Sequence, residues 1–293
     1  MPDDTNHASS EPDPFEQRQE DRRREEPGDS LLPSAESRQK NGVSQGDVKI
    51  RYLRTVREKY IDPLTSHPLY STFVRFLEQH ETNTHYPRFA LTMAEMLNTM
   101  ADFFSATELA KKSVCETGSL SVISQFLVSQ GCPVRGTHTD LRYAIDAADE
   151  SFDLLLSLEV LEHIKDQTEK VFGDIVLFNG SGAQKFVDEI WRVVRPGGLV
   201  ILTTPNPTCL LALIKLIGYE PPMVYRPHVR EYTKGEICKL FDKFKLVKYC
   251  SFFAYGYIGI GEQKAREYVE RLGWDPADRG DCHFFVFQRP DAV

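Results

Sequence analysis

The chain has 293 residues, 41% of them hydrophobic, and a formal net charge of −8. That is enough apolar side chain for one large domain or two small ones, and the wrong charge balance for a nucleic-acid binder. No window holds 18 consecutive apolar residues and no apolar signal segment follows the N-terminus, so a cytoplasmic protein without a membrane span is expected. The six cysteines show no Cys-x-x-Cys spacing, which argues against a zinc knuckle or a disulfide framework.

Residues 1–46 carry a net charge of −5 and are rich in Glu, Arg, Ser, Pro and Gln, with Leu31 and Leu32 as their sole apolar cluster. Such a segment buries too little surface to offset the entropy of ordering, and a disordered tail is expected. From Val48 the pattern changes. Ile50, Leu53, Val56 and Tyr60, then Phe73, Phe76 and Leu77, recur at three and four, with breaks at Pro63 and Pro68, which predicts two short amphipathic helices. A third is predicted from about Tyr86 to Phe104, with Phe89, Met93, Met96, Leu97 and Met100 on one face. Residues 47–110 thus read as a helical N-terminal cap over a sheet edge or a pocket.

From residue 111 to 293 strands and helices alternate. "SVCETGS" is a β run ending in glycine, "SVISQFLVSQG" a helix, "PVRGTHTD" a second β run and "SFDLLLSLEV" a third. "GAQKFVDEIWRVV" is a helix stopped by "RPGG", "LVILTTPN" a strand, and residues 234–241 a helix. "FKLVKYCSFF" and "HFFVFQR" are two last β runs flanking a helical stretch from Gln263 to Leu272. Near-continuous apolar strands alternating with helices predict a doubly wound, mostly parallel α/β sheet, closed by an antiparallel C-terminal hairpin. In such sheets ligands sit beyond the carboxyl ends of the strands, so the polar groups of "SLEVLEHIKD" (157–166) emerge at a crevice and not in the core.

"SFDLLLSLEVLEHIKD", "IWRVVRPGGLVILTTPNP" and "PHVREYTKGEI", in that order, resemble the central strand, helix-turn-strand and substrate-loop segments of Rossmann-like (class I) S-adenosylmethionine-dependent methyltransferases, over roughly Ser113 to Phe253. The resemblance implies S-adenosylmethionine as cofactor. It puts Glu116, Gly118 and Ser119 at the turn beneath the methionine part, and Ser157, Leu158 and Glu159 along the methyl-transfer position. The turn is degenerate: Ser119, Leu120 and Ser121 stand where further glycines are usual, and Leu120 would crowd the ligand. The interval of 33 residues between Gly118 and Phe152 is too short for a second strand, a helix and a third strand. "VRGTHTD" is then either the second strand, with His138 or Asp140 at the ribose, or the third, with Asp140 and Leu141 near the adenine.

Glu159, Glu162 and His163 are spaced i, i+3, i+4, which on one helical turn puts all three on a single face. Two readings stay open: a first glutamate that caps the following helix with a pocket-lining histidine, or a divalent-metal set completed by His228, as in ubiquinone-pathway and small-RNA 2′-O-methyltransferases, which use a similar Glu-x-x-Glu-His. His228 can equally serve as general base, since imidazole titrates near neutral pH, or pin its loop. His163 and His228 are the candidate catalytic pair. Tyr225, Arg226, Arg230 and Tyr232 around His228 suit an anionic or sugar-like substrate, "LLALIKLIGYEPPMV" (210–224) reads as a lid, a helix over the pocket or an oligomer contact, and Asn179 to Gly182 as an anion-binding turn or a plain loop. The expected function is methylation of a small-molecule, lipid or glycan hydroxyl. The alternatives are a non-catalytic methyltransferase fold serving as a binding scaffold and a metal-dependent RNA 2′-O-methyltransferase.

Overall fold

Among the described residues six strands form one sheet, in the order β2-β1-β3-β4-β6-β5. In this computed structural model residues 65–80, 86–167, 180–225, 227–254 and 261–291 are described. The expected tail, the helix expected after Val48, Asn179 and Arg226 lie outside them. The elements are α1 (Pro68–His80), α2 (Tyr86–Met100), α3 (Ala106–Leu109), β1 (Val114–Glu116), α4 (Val122–Ser129), β2 (Val134–Gly136) and β3 (Phe152–Leu158). After them come α5 (Ser181–Val193), β4 (Val194–Pro205), α6 (Leu210–Ile217), α7 (Lys234–Leu240), β5 (Lys245–Phe252), α8 (Gly261–Arg271) and β6 (Cys282–Gln288).

The pairs β1–β2, β1–β3 and β3–β4 are parallel; β6 runs antiparallel to both β4 and β5. Successive side chains on a strand point to opposite faces, and both faces are covered. Leu154, Leu156, Leu199, Ile201, Phe284 and Val286 pack with α1, α2 and α4. Leu155, Val200, Leu202, Phe285 and Phe287 pack with α5 and α7. The helices α1 and α2, together with α4, therefore cover one face of the sheet. Phe73 of α1 meets Phe126 of α4 edge to face at 5.2 Å. A third, smaller core joins Leu210 of α6 to Phe253 and to Ala265 and Val269 of α8. The rest of α6 leaves Ile214, Leu216 and Ile217 exposed. No helix among the described residues is long and apolar enough to cross a membrane.

β2 lies beside β1, so "VRG" is the second strand of the sheet, and residues 137–151 contain no strand. A loop stands where a third strand would, and α5 pins it. The Glu189 carboxylate accepts from the Ile145 N–H at 3.0 Å and from Arg192 at 2.6 Å, while Arg192 donates to the carbonyls of Ile145 and Ala147. Burial opposes the Glu189 charge, yet hydrogen bonds from Arg192, Ile145 and Lys185 prevail and hold its pKa at about 2. Gly182, in the first turn of α5, serves packing. A Cβ on Gly182 would lie 1.9 Å from the Lys165 carbonyl oxygen, and the Gln167 N–H donates to Ser181 Oγ. The loop after β3 thus covers the helix N-terminus that the anion-binding reading needs open.

Candidate functional site

β3 ends at Leu158, but Glu159 still donates its N–H to the Thr203 carbonyl of β4. Its φ of +58° is left-handed, a conformation that costs a side-chain-bearing residue about 1–2 kcal/mol. A single 3₁₀ turn follows, Leu161–His163. The expected common helical face of Glu159, Glu162 and His163 is therefore absent, because the backbone reverses hand at Glu159 before any helix starts. Nor does Glu159 cap the turn; Val160 occupies that position.

The reversal sends the two glutamates to different faces of the sheet. Glu159 turns to the side of α2 and α4. Its Oε2 lies 3.2 Å from Arg88 Nη1, and its Oε1 accepts from the Cys282 thiol at 3.3 Å. Burial keeps that thiol protonated, as a donor requires. Glu162 turns to the side of α5 and α7, where Oε2 accepts from Thr204 Oγ1 at 2.9 Å. Its Oε1 is buried without a hydrogen-bond partner. Burial pushes the Glu162 pKa up to about 7, against the hydrogen bonds it accepts.

Two imidazoles face this orphaned oxygen. His163 Nε2 and His228 Nε2 each lie 3.9 Å from Glu162 Oε1, and the rings meet edge to face at 4.9 Å. At 3.9 Å neither contact is a hydrogen bond. The Glu162 carbonyl accepts from the N–H groups of Val229 and Arg230, which holds the His228 loop against the turn. His163 is half exposed, and burial and its histidine neighbour lower its pKa. His228 is nearly buried, with Nδ1 2.6 Å from Glu231 Oε1. A carboxylate there only accepts, so Nδ1 donates a proton to it, and Nε2 faces Glu162 and His163. One ligand atom each from Glu162, His163 and His228 lie within 4.8 Å of one another, a cluster able to hold a metal ion. Two imidazoles and a carboxylate suit Mn²⁺ better than Mg²⁺.

The remaining candidates surround the carboxyl ends of β1 and β2. Glu116 is buried, accepts from the Ser121 N–H at 2.7 Å, and has its pKa raised by burial. Gly118 has φ +84° and donates its N–H to Thr137 Oγ1 at 2.7 Å. Leu120 sits over Gly136 at the end of β2, its Cδ2 3.4 Å from where a Cβ would stand, and leaves the space around the Gly118 Cβ position open. Ser119 and His138 are exposed. Asp140 is exposed with its carboxylate bound by Arg142, and Leu141 packs into the α5 face. Ser157 is fully buried with its Oγ unpartnered. Leu158 packs on the α2 face.

Sequence reasoning passed over Arg88, Thr204 and Glu231. Glu231 had a signal, a carboxylate three residues after His228. Arg88, a lone cation in the apolar face "RFALTM", had a weaker one.

A family model described as a methyltransferase domain matches residues 98–250, just over half of the chain. A Mycolicibacterium smegmatis protein described as a probable S-adenosylmethionine-dependent methyltransferase is 30% identical over 95 residues. That stretch covers 32% of this chain and 28% of the relative, so the likeness spans well under a third of that protein's length. Among solved structures, an S-adenosylmethionine-dependent methyltransferase from Archaeoglobus fulgidus aligns with 74% of this chain and 99% of its own, at 12% identity and a TM-score of 0.45. One from Mesorhizobium loti aligns with 66% and 97%, at 11% identity and a TM-score of 0.41. By its matched domain, and with the sheet order to accompany it, the chain belongs to the Rossmann-like, class I S-adenosylmethionine-dependent methyltransferase family.

Proposed function

We propose that the chain transfers a methyl group from S-adenosylmethionine to a hydroxyl of a small molecule, lipid or glycan, in the cytoplasm, with His228 as general base. The observation that carries this is the His228 imidazole, fixed through Nδ1 by Glu231 with its Nε2 turned toward Glu162 and His163. The acidic balance speaks against RNA as the acceptor.

The residues at the turn fit the cofactor. Nothing lies within 4 Å of the Gly118 Cβ position, and Glu116 is a buried acid beside it. Glu116, Gly118 and Ser119 would hold the methionine part, Ser157, Leu158 and Glu159 would line the reacting end, and the segment after β2, with His138, Asp140 and Leu141, would meet the nucleoside. S-adenosylmethionine supplies an electrophilic methyl on a sulfonium. The chain supplies position and a proton acceptor: Nε2 of His228 takes the hydroxyl proton, His163 orients the acceptor, and Glu231 stabilises the imidazolium that forms.

One observation favours a second version. The orphaned Oε1 of Glu162, 3.9 Å from both Nε2 atoms, suits a divalent ion that would lower the acceptor's pKa in place of the base, with Glu231 then holding a ligating imidazole from behind. Calorimetric titration with S-adenosylmethionine tests the shared premise; no binding would leave the scaffold reading. Transfer assays with EDTA and with added Mn²⁺ or Mg²⁺ separate the versions, since activity indifferent to chelation and abolished by His228→Ala supports the base, and activity lost to EDTA and restored by Mn²⁺ supports the ion.

A further inference from the structure

The first turn of α6 is anchored and its last turn is bare. Leu210 and Ala212 are buried, and Leu210 packs with Phe253, Ala265 and Val269 in the small third core. Ile214 and Leu216 are exposed, Ile217 is 79% exposed, and Tyr219 just beyond the helix is 100% exposed. Lys215 is the sole charged side chain from Leu210 to Tyr219. It is folded back, with Nζ donating to the Met223 carbonyl at 2.8 Å and the Val224 carbonyl at 3.4 Å. The tip therefore presents three aliphatic side chains and a phenol with no charge among them. The loop that holds Lys215 also reaches the site. Val224 and Tyr225 donate their N–H groups to the Glu231 carboxylate that fixes His228 Nδ1, and the Tyr225 ring meets His228 edge to face at 5.2 Å.

The four side chains of the tip expose on the order of 500 Å², the upper end of what a soluble monomer leaves bare and short of the roughly 800 Å² each partner gives to a stable dimer. A bilayer sets no such minimum and needs no matching shape. It accepts an uncharged tip whose one aromatic ring carries a hydroxyl for the headgroup level. Charge does not supply the attraction, since the chain carries a net −8 and exposed Glu220 follows Tyr219. We propose that the tip of α6, Ile214 to Tyr219, docks on a lipid bilayer, its aliphatic side chains entering the boundary between headgroups and acyl chains. Joined to the methyltransferase reading, on which this further step rests, the surface selects lipid from the three acceptor classes, because a headgroup hydroxyl emerging beside α6 meets the loop that carries His228.

Sedimentation of the full chain with phosphatidylcholine vesicles tests the surface. Wild type should sediment with them, and raised salt should leave the partition unchanged. Ile217→Ser should weaken it on the order of 10-fold, the worth of burying one large aliphatic side chain, and Leu216→Ser with Ile217→Ser on the order of 100-fold. Both side chains are exposed, so circular dichroism and S-adenosylmethionine affinity by calorimetry should match wild type. Wild type that stays in the supernatant would overturn the proposal, as would binding confined to anionic vesicles and lost in salt, or undiminished binding by the double variant. A wild-type dimer in analytical ultracentrifugation that the double variant dissolves would assign the tip to a second copy of the chain and overturn it as well. The donor reading is tested separately: a chain that sediments with vesicles and binds no S-adenosylmethionine supports the surface and removes only the choice of acceptor.

Discussion

Glu162→Gln is the substitution with the best-defined consequence. The Glu162 carboxyl is fully buried, bonds Thr204 through one oxygen, and has its pKa pushed by burial from an ordinary 4.5 to about 7. A carboxyl with a raised folded pKa contributes fully below its unfolded pKa, and that contribution is lost as pH rises through the folded one. Between pH 4.5 and 8.5 the wild type, free of divalent ions, should therefore lose stability relative to Glu162→Gln, whose amide oxygen can still accept from Thr204. A shift from 4.5 to about 7 corresponds to about 3 kcal/mol, or on the order of 5–10 °C in Tm for a domain of this size. Urea unfolding of both proteins in EDTA at intervals of pH measures the difference directly. Comparison with the variant cancels the other carboxyls, both those with depressed pKa values and Glu116, which burial also raises. A difference that stays constant from pH 5 to 8.5 would refute the reasoning, because Glu162 would then be ionised and solvated in the native state. Mn²⁺ adds a control: an ion lodged between Glu162, His163 and His228 should rescue the wild type at high pH and leave the variant unmoved.

Gly118→Val puts a β-branched side chain at φ +84° and fills the open space beside it, so S-adenosylmethionine binding by calorimetry should vanish while circular dichroism stays native. Full affinity would mean that the turn does not shape the cofactor site. Glu189→Gln removes the charged acceptor that ties the 140–150 loop to α5, and should cost on the order of 1.5–3 kcal/mol in urea unfolding at pH 7, with faster proteolysis between residues 141 and 151. Since its pKa is depressed to about 2, that stabilisation is present above pH 4.5 and should fade as pH falls toward 2; a variant that unfolds like wild type at pH 7 would show that the loop is held by Ile145 packing alone.

Much of this fold was legible because its signals are local. The apolar runs at Phe152–Leu158 and Leu199–Thr204, the "RPGG" turn and the "TTPN" strand end each mark an element within a few residues. The 141–151 loop could not be read that way, because the groups that pin it, Glu189 and Arg192, lie on α5. The split of the Glu-x-x-Glu-His motif was hidden for the same reason. The spacing predicts a helical face, and helical spacing holds only where the backbone is helical. What holds Glu159 out of that helix is an arginine on α2 and a thiol on β6.

The left-handed backbone at Glu159 can be tested without reference to any ligand. Glu159→Ala and Glu159→Gly both delete the contacts with Arg88 and Cys282, and differ only in a Cβ. At an exposed helix position such as Gln125 in α4, alanine should be more stable than glycine by about 1 kcal/mol. At φ +58° the order should narrow to zero or invert, because alanine there carries about 1–2 kcal/mol of strain that glycine lacks. Paired urea titrations at the two positions measure the difference between differences, so errors common to the deleted side chain cancel. If alanine exceeds glycine at position 159 by as much as at 125, the backbone there is right-handed. Glu159 then rejoins Glu162 and His163 on one face, and the placement of the two glutamates on opposite faces of the sheet fails with it.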